Sequence, residues 1–402
     1  MSKEKHMSRR IPFKVAALCG ATALALAACG GPSSSEASSD GPIKVGIIAD
    51  LTGGTGDVGT PYNEGMVDYI EWRNSEGGVE GRMLEADSND YAYEVPKAEQ
   101  LYKKYVSDGA AVIQGWGTGD TEALRGKVAS DELPFMSGSL AEPLTDPADS
   151  PYNFVNVATY SDQMRIALKW IAEDAGGAAE VAVFHNDSPF GTAPVADGEA
   201  YIKDKNLDLG YEAYPMPATA NFVGLLSQAK SQGAKYIVIQ NVSSPAAQVA
   251  KDLKAQGLDM KIVCLNWCSD ELFITTAGAE AADGTMMITS VSPPVTDKPG
   301  NADPAGFLES KGSTLEEKGL HYLQGWYTMH VMAEGIGAAI ANGDDPTGPA
   351  IREALETMGP IDTGDVMGTP EFSKDSHRGS NSAGVYEVAD GVMKTVEENV
   401  SP

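Results

Sequence analysis

Two polar loops carry the residue types whose spacing could do chemistry. The first, Gly115-Trp116-Gly117-Thr118-Gly119-Asp120-Thr121, follows the apolar run Ala111-Val112-Ile113-Gln114. Its density of glycine fits a chain that must turn sharply and come close to something else. Ala123, Leu124 and Val128 then recur at helical spacing. A loop that opens a helix aims unpaired N–H groups, and the positive end of the helix dipole, at an anion. The second loop, Ser137-Gly138-Ser139, closes another short apolar run, Leu133-Pro134-Phe135-Met136. Thr118 and Ser139 add hydroxyl donors, so the chemistry on offer is capture of a small polar molecule. Two of these residues read in two ways. Trp116 is either an apolar wall of the site or ordinary core, and Asp120 either a helix cap or a negative charge for a ligand.

Bond-making chemistry has less support. Gly115, Gly117 and Gly119 do not form the Gly-Xaa-Gly-Xaa-Xaa-Gly dinucleotide pattern, and no Lys-Ser/Thr follows as a phosphate loop requires. A Gly-Xaa-Ser-Xaa-Gly nucleophile elbow is missing as well. His185 ends an apolar strand pattern, His321 and His330 do not share a helix face, and His377 lies in a polar stretch. Asp87 and Asp90 could act as an acid–base pair, but at a strand end they read as caps. Cys264 and Cys268 favour a disulfide in an exported protein; zinc is the weaker option because no second Cys/His pair lies near. No cofactor or metal is expected.

These loops need a scaffold, and the length of 402 residues allows two ordinary domains. The net charge of −28 argues against nucleic acid, which requires basic patches. The first 28 residues read as a targeting segment. Lys3, Lys5, Arg9, Arg10 and Lys14 form a positive region, and Val15 to Ala28 an apolar one. A Ser-rich tether follows Cys29, and no later span is apolar enough to cross a bilayer.

From Ile43 onward, strand and helix patterns alternate. Strands are expected at Ile43–Ala49, Met83–Ser88, Tyr152–Val157, Val181–His185, Tyr211–Tyr214, Tyr236–Gln240, Lys261–Leu265, Met286–Ser290 and Ala383–Val388. Pro96 opens one helix at its natural first position, and Tyr322 to Ala341 forms a long apolar one. The expected class is α/β, with two doubly wound lobes. Ligands of such sheets bind where loops at the carboxyl ends of neighbouring strands meet.

The ordered set of motifs resembles the branched-chain amino-acid binding lipoproteins of ABC importers. Leu26-Ala27-Ala28-Cys29 resembles a lipobox. Asp50-Leu51-Thr52-Gly53 ends the first strand, and Asn74 to Arg82 forms a Gly-rich turn. Asp187-Ser188-Pro189-Phe190-Gly191 and Ala255-Gln256-Gly257-Leu258 follow in order. The resemblance spans Ile43 to about Val392. It implies a type I periplasmic-binding-protein fold with three hinge crossovers. Residues 1–28 would be the signal peptide and 29–41 the lipidated Cys29 and tether. Lobe 1 would take 42–157 plus 284–382, and lobe 2 158–283 plus 383–402. Thr118, Gly119, Ser139, Leu140 and Ala141 match the positions that hold a ligand carboxylate; Phe190 and Val242 match aromatic positions of the second lobe. The family's first-loop aromatic falls near Val58, and Asn266 stands where amino-acid binders carry an acid. The implied function is capture of an amino acid or related small carboxylate or amide by a monomeric extracytoplasmic lipoprotein. It would deliver that ligand to permease subunits and their ATPases. The same fold could instead serve a sensor for a signalling receptor, and a secreted hydrolase is the remote alternative.

Overall fold

The computed structural model describes residues 41–218 and 221–402; Cys29, the signal segment and most of the tether lie outside them. Two sheets organise the chain. The first is fully parallel, in the order β2-β1-β3-β4-β5. Its strands are β1 (Ile43–Ala49), β2 (Leu84–Asp90), β3 (Val112–Gly115), β4 (Phe135–Ser137) and β5 (Asn153–Phe154). β1 and β3 are almost wholly buried, as strands covered by helices on both faces must be.

The second sheet runs β12-β11-β10-β9-β8-β6-β7. Its parallel part comprises β6 (Ala179–Asn186), β7 (Leu209–Met216), β8 (Ala234–Gln240), β9 (Lys261–Cys264) and β10 (Met286–Thr289). β11 (Ala383–Ala389) and β12 (Val392–Val400) close it as an antiparallel hairpin. The chain therefore passes between the sheets three times: after β5, after β10 and before β11. Because β10 pairs with β9 and β11, the second passage falls after Thr289. The expected boundary at residue 284 was too early, since a four-residue apolar strand does not announce its sheet.

β12 has no counterpart in the expected pattern. Its sequence, Val392-Met393-Lys394-Thr395-Val396-Glu397, shows no apolar alternation, and most of its side chains are exposed. An edge strand with little core face gives a weak hydrophobic signal, and its charged residues suit an unpaired edge. Asp390, in the left-handed region with φ 56°, and Gly391 make the turn.

Local chemistry explains the helices that matter for the site. Thr159 caps the helix Tyr160–Ala175 through a reciprocal capping box with Asp162, and Gly176 ends it in a left-handed conformation. The helix Leu320–Ala341 is buried on nearly all sides and lies against the helix Gly56–Ser75. They can approach closely because Gly65 and Gly325 lack side chains. A Cβ on Gly325 would run into the Tyr62 carbonyl, and one on Gly65 into that of Tyr322.

Candidate ligand-binding site

Loops after the carboxyl ends of strands from both sheets meet around one narrow cavity, whose free volume of about 10 Å³ is that of a single water. Trp116, Gly117 and Thr118 after β3, and Gly138 after β4, form the side toward the first sheet. Phe190 after β6, Val242 after β8 and Trp267 after β9 form the opposite side. Thr55, Tyr93 and Tyr160 complete the walls. None of these side chains carries a charge at neutral pH.

A relay of hydrogen bonds fixes Trp116. Asp50, fully buried at the end of β1, accepts from the Gly53 and Thr55 amides (2.7 and 3.0 Å) and from Thr55 Oγ1 (2.6 Å). Thr55 Oγ1 in turn accepts from Trp116 Nε1 at 2.8 Å. Trp267 Nε1 donates to the Tyr160 hydroxyl at 3.0 Å, and that hydroxyl donates to the Gly138 carbonyl at 3.1 Å. The two indoles meet edge to face, with centroids 4.7 Å apart and planes inclined at 66°. Tyr62 packs on both, at 5.1 and 5.7 Å. Buried indole and phenol groups are costly unless their N–H and O–H find partners, so these bonds hold the aromatic walls in one orientation.

Thr118 is the first residue of the helix Thr118–Asp131. Ser139 spends its hydroxyl proton on Thr118 Oγ1 at 2.8 Å, which leaves the Thr118 proton available to an acceptor. Asp120, only 2 % exposed, sits one turn in. Its Oδ1 accepts from the Tyr91 hydroxyl at 2.8 Å, while Oδ2 is buried without a partner. Loss of hydration pushes its carboxyl up to about 7, against the pull of the Tyr91 hydroxyl and the Asp120 and Gly117 amides. The cap role thus prevails over direct ligand contact, since Asp120 folds back on Gly117 behind the cavity wall.

The chain matches the periplasmic binding protein family model over residues 42–392. It belongs to that family. That family consists of binding proteins rather than enzymes. Among curated relatives, the Leu/Ile/Val-binding protein homolog 3 of Brucella melitensis is 22% identical over 88% of this chain and 94% of its own length. The leucine-, isoleucine-, valine-, threonine-, and alanine-binding protein of Pseudomonas aeruginosa is 22% identical, covering 77% of this chain and 82% of its own. A branched chain amino acid ABC transporter from Thermus thermophilus with bound valine superposes with a TM-score of 0.84 at 24% identity, covering 90% of this chain and 97% of that one. A fatty acid ABC transporter substrate-binding protein from Thermomonospora curvata gives 0.81 at 20% identity, covering 90% and 93%. The type I fold is therefore present.

In this binding protein, four expected site residues, Trp116, Thr118, Phe190 and Val242, reach the cavity wall. Ser139 stands behind it, bonded to Thr118. Gly119 faces across to Pro189, which a Cβ would approach to 3.7 Å. Leu140 and Ala141 serve the backbone: their carbonyls accept from the Tyr160 and Leu144 amides.

Asn266, which the resemblance places at the acidic position of amino-acid binders, does not line the cavity. It is fully buried; its amide donates to Gln163 Oε1 (3.1 Å) and its Nδ2 to Gln324 Oε1 (3.1 Å), and its Oδ1 faces the Ser290 amide at 3.5 Å. Its polar capacity is spent on joining elements, and the neighbouring Trp267 takes the wall. The expected disulfide is also not formed. Cys264 and Cys268 are free, buried thiols; burial raises that of Cys264, and Cys268 Sγ donates to the Ile239 carbonyl at 3.4 Å. Asp87 pairs with Lys104, and Asp90 braces the loop after β1 by accepting from the Leu51 amide and the Thr52 hydroxyl. Val58 is buried in the helix Gly56–Ser75.

Sequence reasoning missed Thr55, Tyr93, Gly117, Gly138, Tyr160 and Trp267 as wall residues. Tyr160 had a readable sign, because Thr159 and Asp162 spell a helix start that places it at the entry to a crossover. Tyr93 had none: it sits at φ 58° after Ala92 at φ 52°, and nothing in its type predicts two consecutive left-handed residues.

Proposed function

We propose that the protein captures a small solute, an amino acid or a related small carboxylate or amide, between two closing lobes and delivers it to an ABC permease. The observation that carries this is the uncharged, aromatic-walled cavity built from strand ends of both sheets, with hydroxyls at Thr55, Thr118 and Tyr160. The helices Thr118–Asp131 and Ser243–Ala255 both begin at this wall. The first amides of Thr118–Asp131 suit a carboxylate without a basic side chain. The relatives named for leucine, isoleucine and valine binding support the same class. Export with lipidation at Cys29, a two-lobe division at the crossovers and a monomeric state complete the reading.

A thermal-shift screen of amino acids, small amides and aromatic or aliphatic acids tests it. A true ligand at 100 times its dissociation constant stabilises by about 2.7 kcal/mol, and a flat response across all three classes refutes the proposal. With a hit in hand, Thr118→Val is expected to weaken binding by about 1–3 kcal/mol, the cost of an unpaired polar group. Unchanged affinity by titration calorimetry removes Thr118 from the site.

A further inference from the structure

We infer that the two halves are fastened outside the cavity by a reciprocal exchange of carboxylates, each half capping a helix of the other, so that Asp57 and Glu271 set how firmly the site stays shut. The inference rests on the lobe closure proposed above and adds the residues that govern it.

Asp57 lies in the first turn of the helix Gly56–Ser75, on the side of the five-stranded sheet. Its Oδ2 accepts at 3.0 Å from the amide of Ser244, at the start of the helix Ser243–Ala255 on the other side. Glu271 opens the helix Glu271–Ala277 beside the seven-stranded sheet. Its Oε2 accepts at 3.0 Å from the amide of Leu320, the first residue of the helix Leu320–Ala341, which packs on Gly56–Ser75. The contacts run in opposite directions and involve helices of 13 and 22 residues. The first amides of a helix have no partner within it, and the dipole there favours a negative group. Glu271 Oε1 is buried with no partner, so its carboxylate loses water that the Leu320 terminus must offset.

A third contact ties this fastening to the cavity wall. Asp270 Oδ2 accepts from Ser243 Oγ at 2.6 Å and lies 3.2 Å from His321 Nε2, on the helix of the opposite half. Asp270 Oδ1 accepts from the Phe273 amide at 2.7 Å, which holds the carboxylate in place. The His321 ring packs on Trp267, with centroids 4.9 Å apart, and Trp267 lines the cavity. Separation of the halves breaks all three contacts together, whatever fills the site.

The test needs no ligand. Small-angle scattering of the purified chain without added solute reads the balance of closed and open forms directly. The Asp57→Ala/Glu271→Ala variant is expected to scatter as a more extended particle than the wild type. Loss of two charge-assisted caps should move the closed-to-open ratio on the order of tenfold. The milder Asp57→Asn/Glu271→Gln variant keeps acceptor oxygens and should fall between them; it provides the reading if the alanine pair loses its helical circular dichroism. Superimposable curves for wild type and a folded variant overturn the inference. A shift in scattering combined with a flat solute screen would keep the fastening and discard the proposed ligand class instead.

Discussion

Replacing Asp120 with asparagine should change how stability depends on pH. The carboxyl is 2 % exposed and has one unpartnered oxygen; dehydration raises it from 3.8 to about 7. Between those values the folded state keeps a proton that the unfolded chain has lost. The contribution of Asp120 to stability is therefore fully present below about 3.8 and is lost as pH rises through about 7, at roughly 1.4 kcal/mol per pH unit. Asparagine mimics the neutral acid in shape and does not titrate. From pH 5 to pH 8 the wild type should lose about 2–3 kcal/mol relative to Asp120→Asn. Urea unfolding of both proteins at pH 5, 6.5 and 8 measures that difference, and groups common to both cancel. A difference constant within about 0.5 kcal/mol would show that the helix terminus keeps Asp120 ionised throughout, and the desolvation argument would fail.

Other outcomes follow from the packing. Gly325→Ala should destabilise the fold by at least about 1–3 kcal/mol, because its Cβ meets the backbone carbonyl of Tyr62 and no side chain can yield; an unchanged urea midpoint would contradict the close helix crossing. Alkylation of the unfolded protein without reductant should modify both Cys264 and Cys268. A mass showing neither labelled would restore the bridge.

The pattern of apolar runs was enough to place β1, β3, β6, β8 and β9, because strands buried on both faces leave unbroken apolar sequence. It also located the loop around Thr118, since glycine at that density before a helix has few other uses. Short strands were harder. β10 and β12 depend on partners distant in the chain, so neither its sheet for the one nor its existence for the other is written locally.

The site divided along the same line. Trp116, Thr118, Phe190 and Val242 sit at strand ends, and strand ends are legible from a period and a stop. Asn266 and Trp267 occupy adjacent positions, and residue type did not reveal which one faces the cavity. The short 3-10 turn Asn266–Cys268 decided it, by turning the indole outward and the amide toward Gln163 and Gln324. The amino-acid order by itself determined two α/β sheets and the loops that meet between them, because those follow from hydrophobic period and backbone freedom over a few residues. Only the tertiary structure decided which side chains reach the cavity and which carboxylates cap a helix across it, because these depend on distances between segments up to two hundred residues apart.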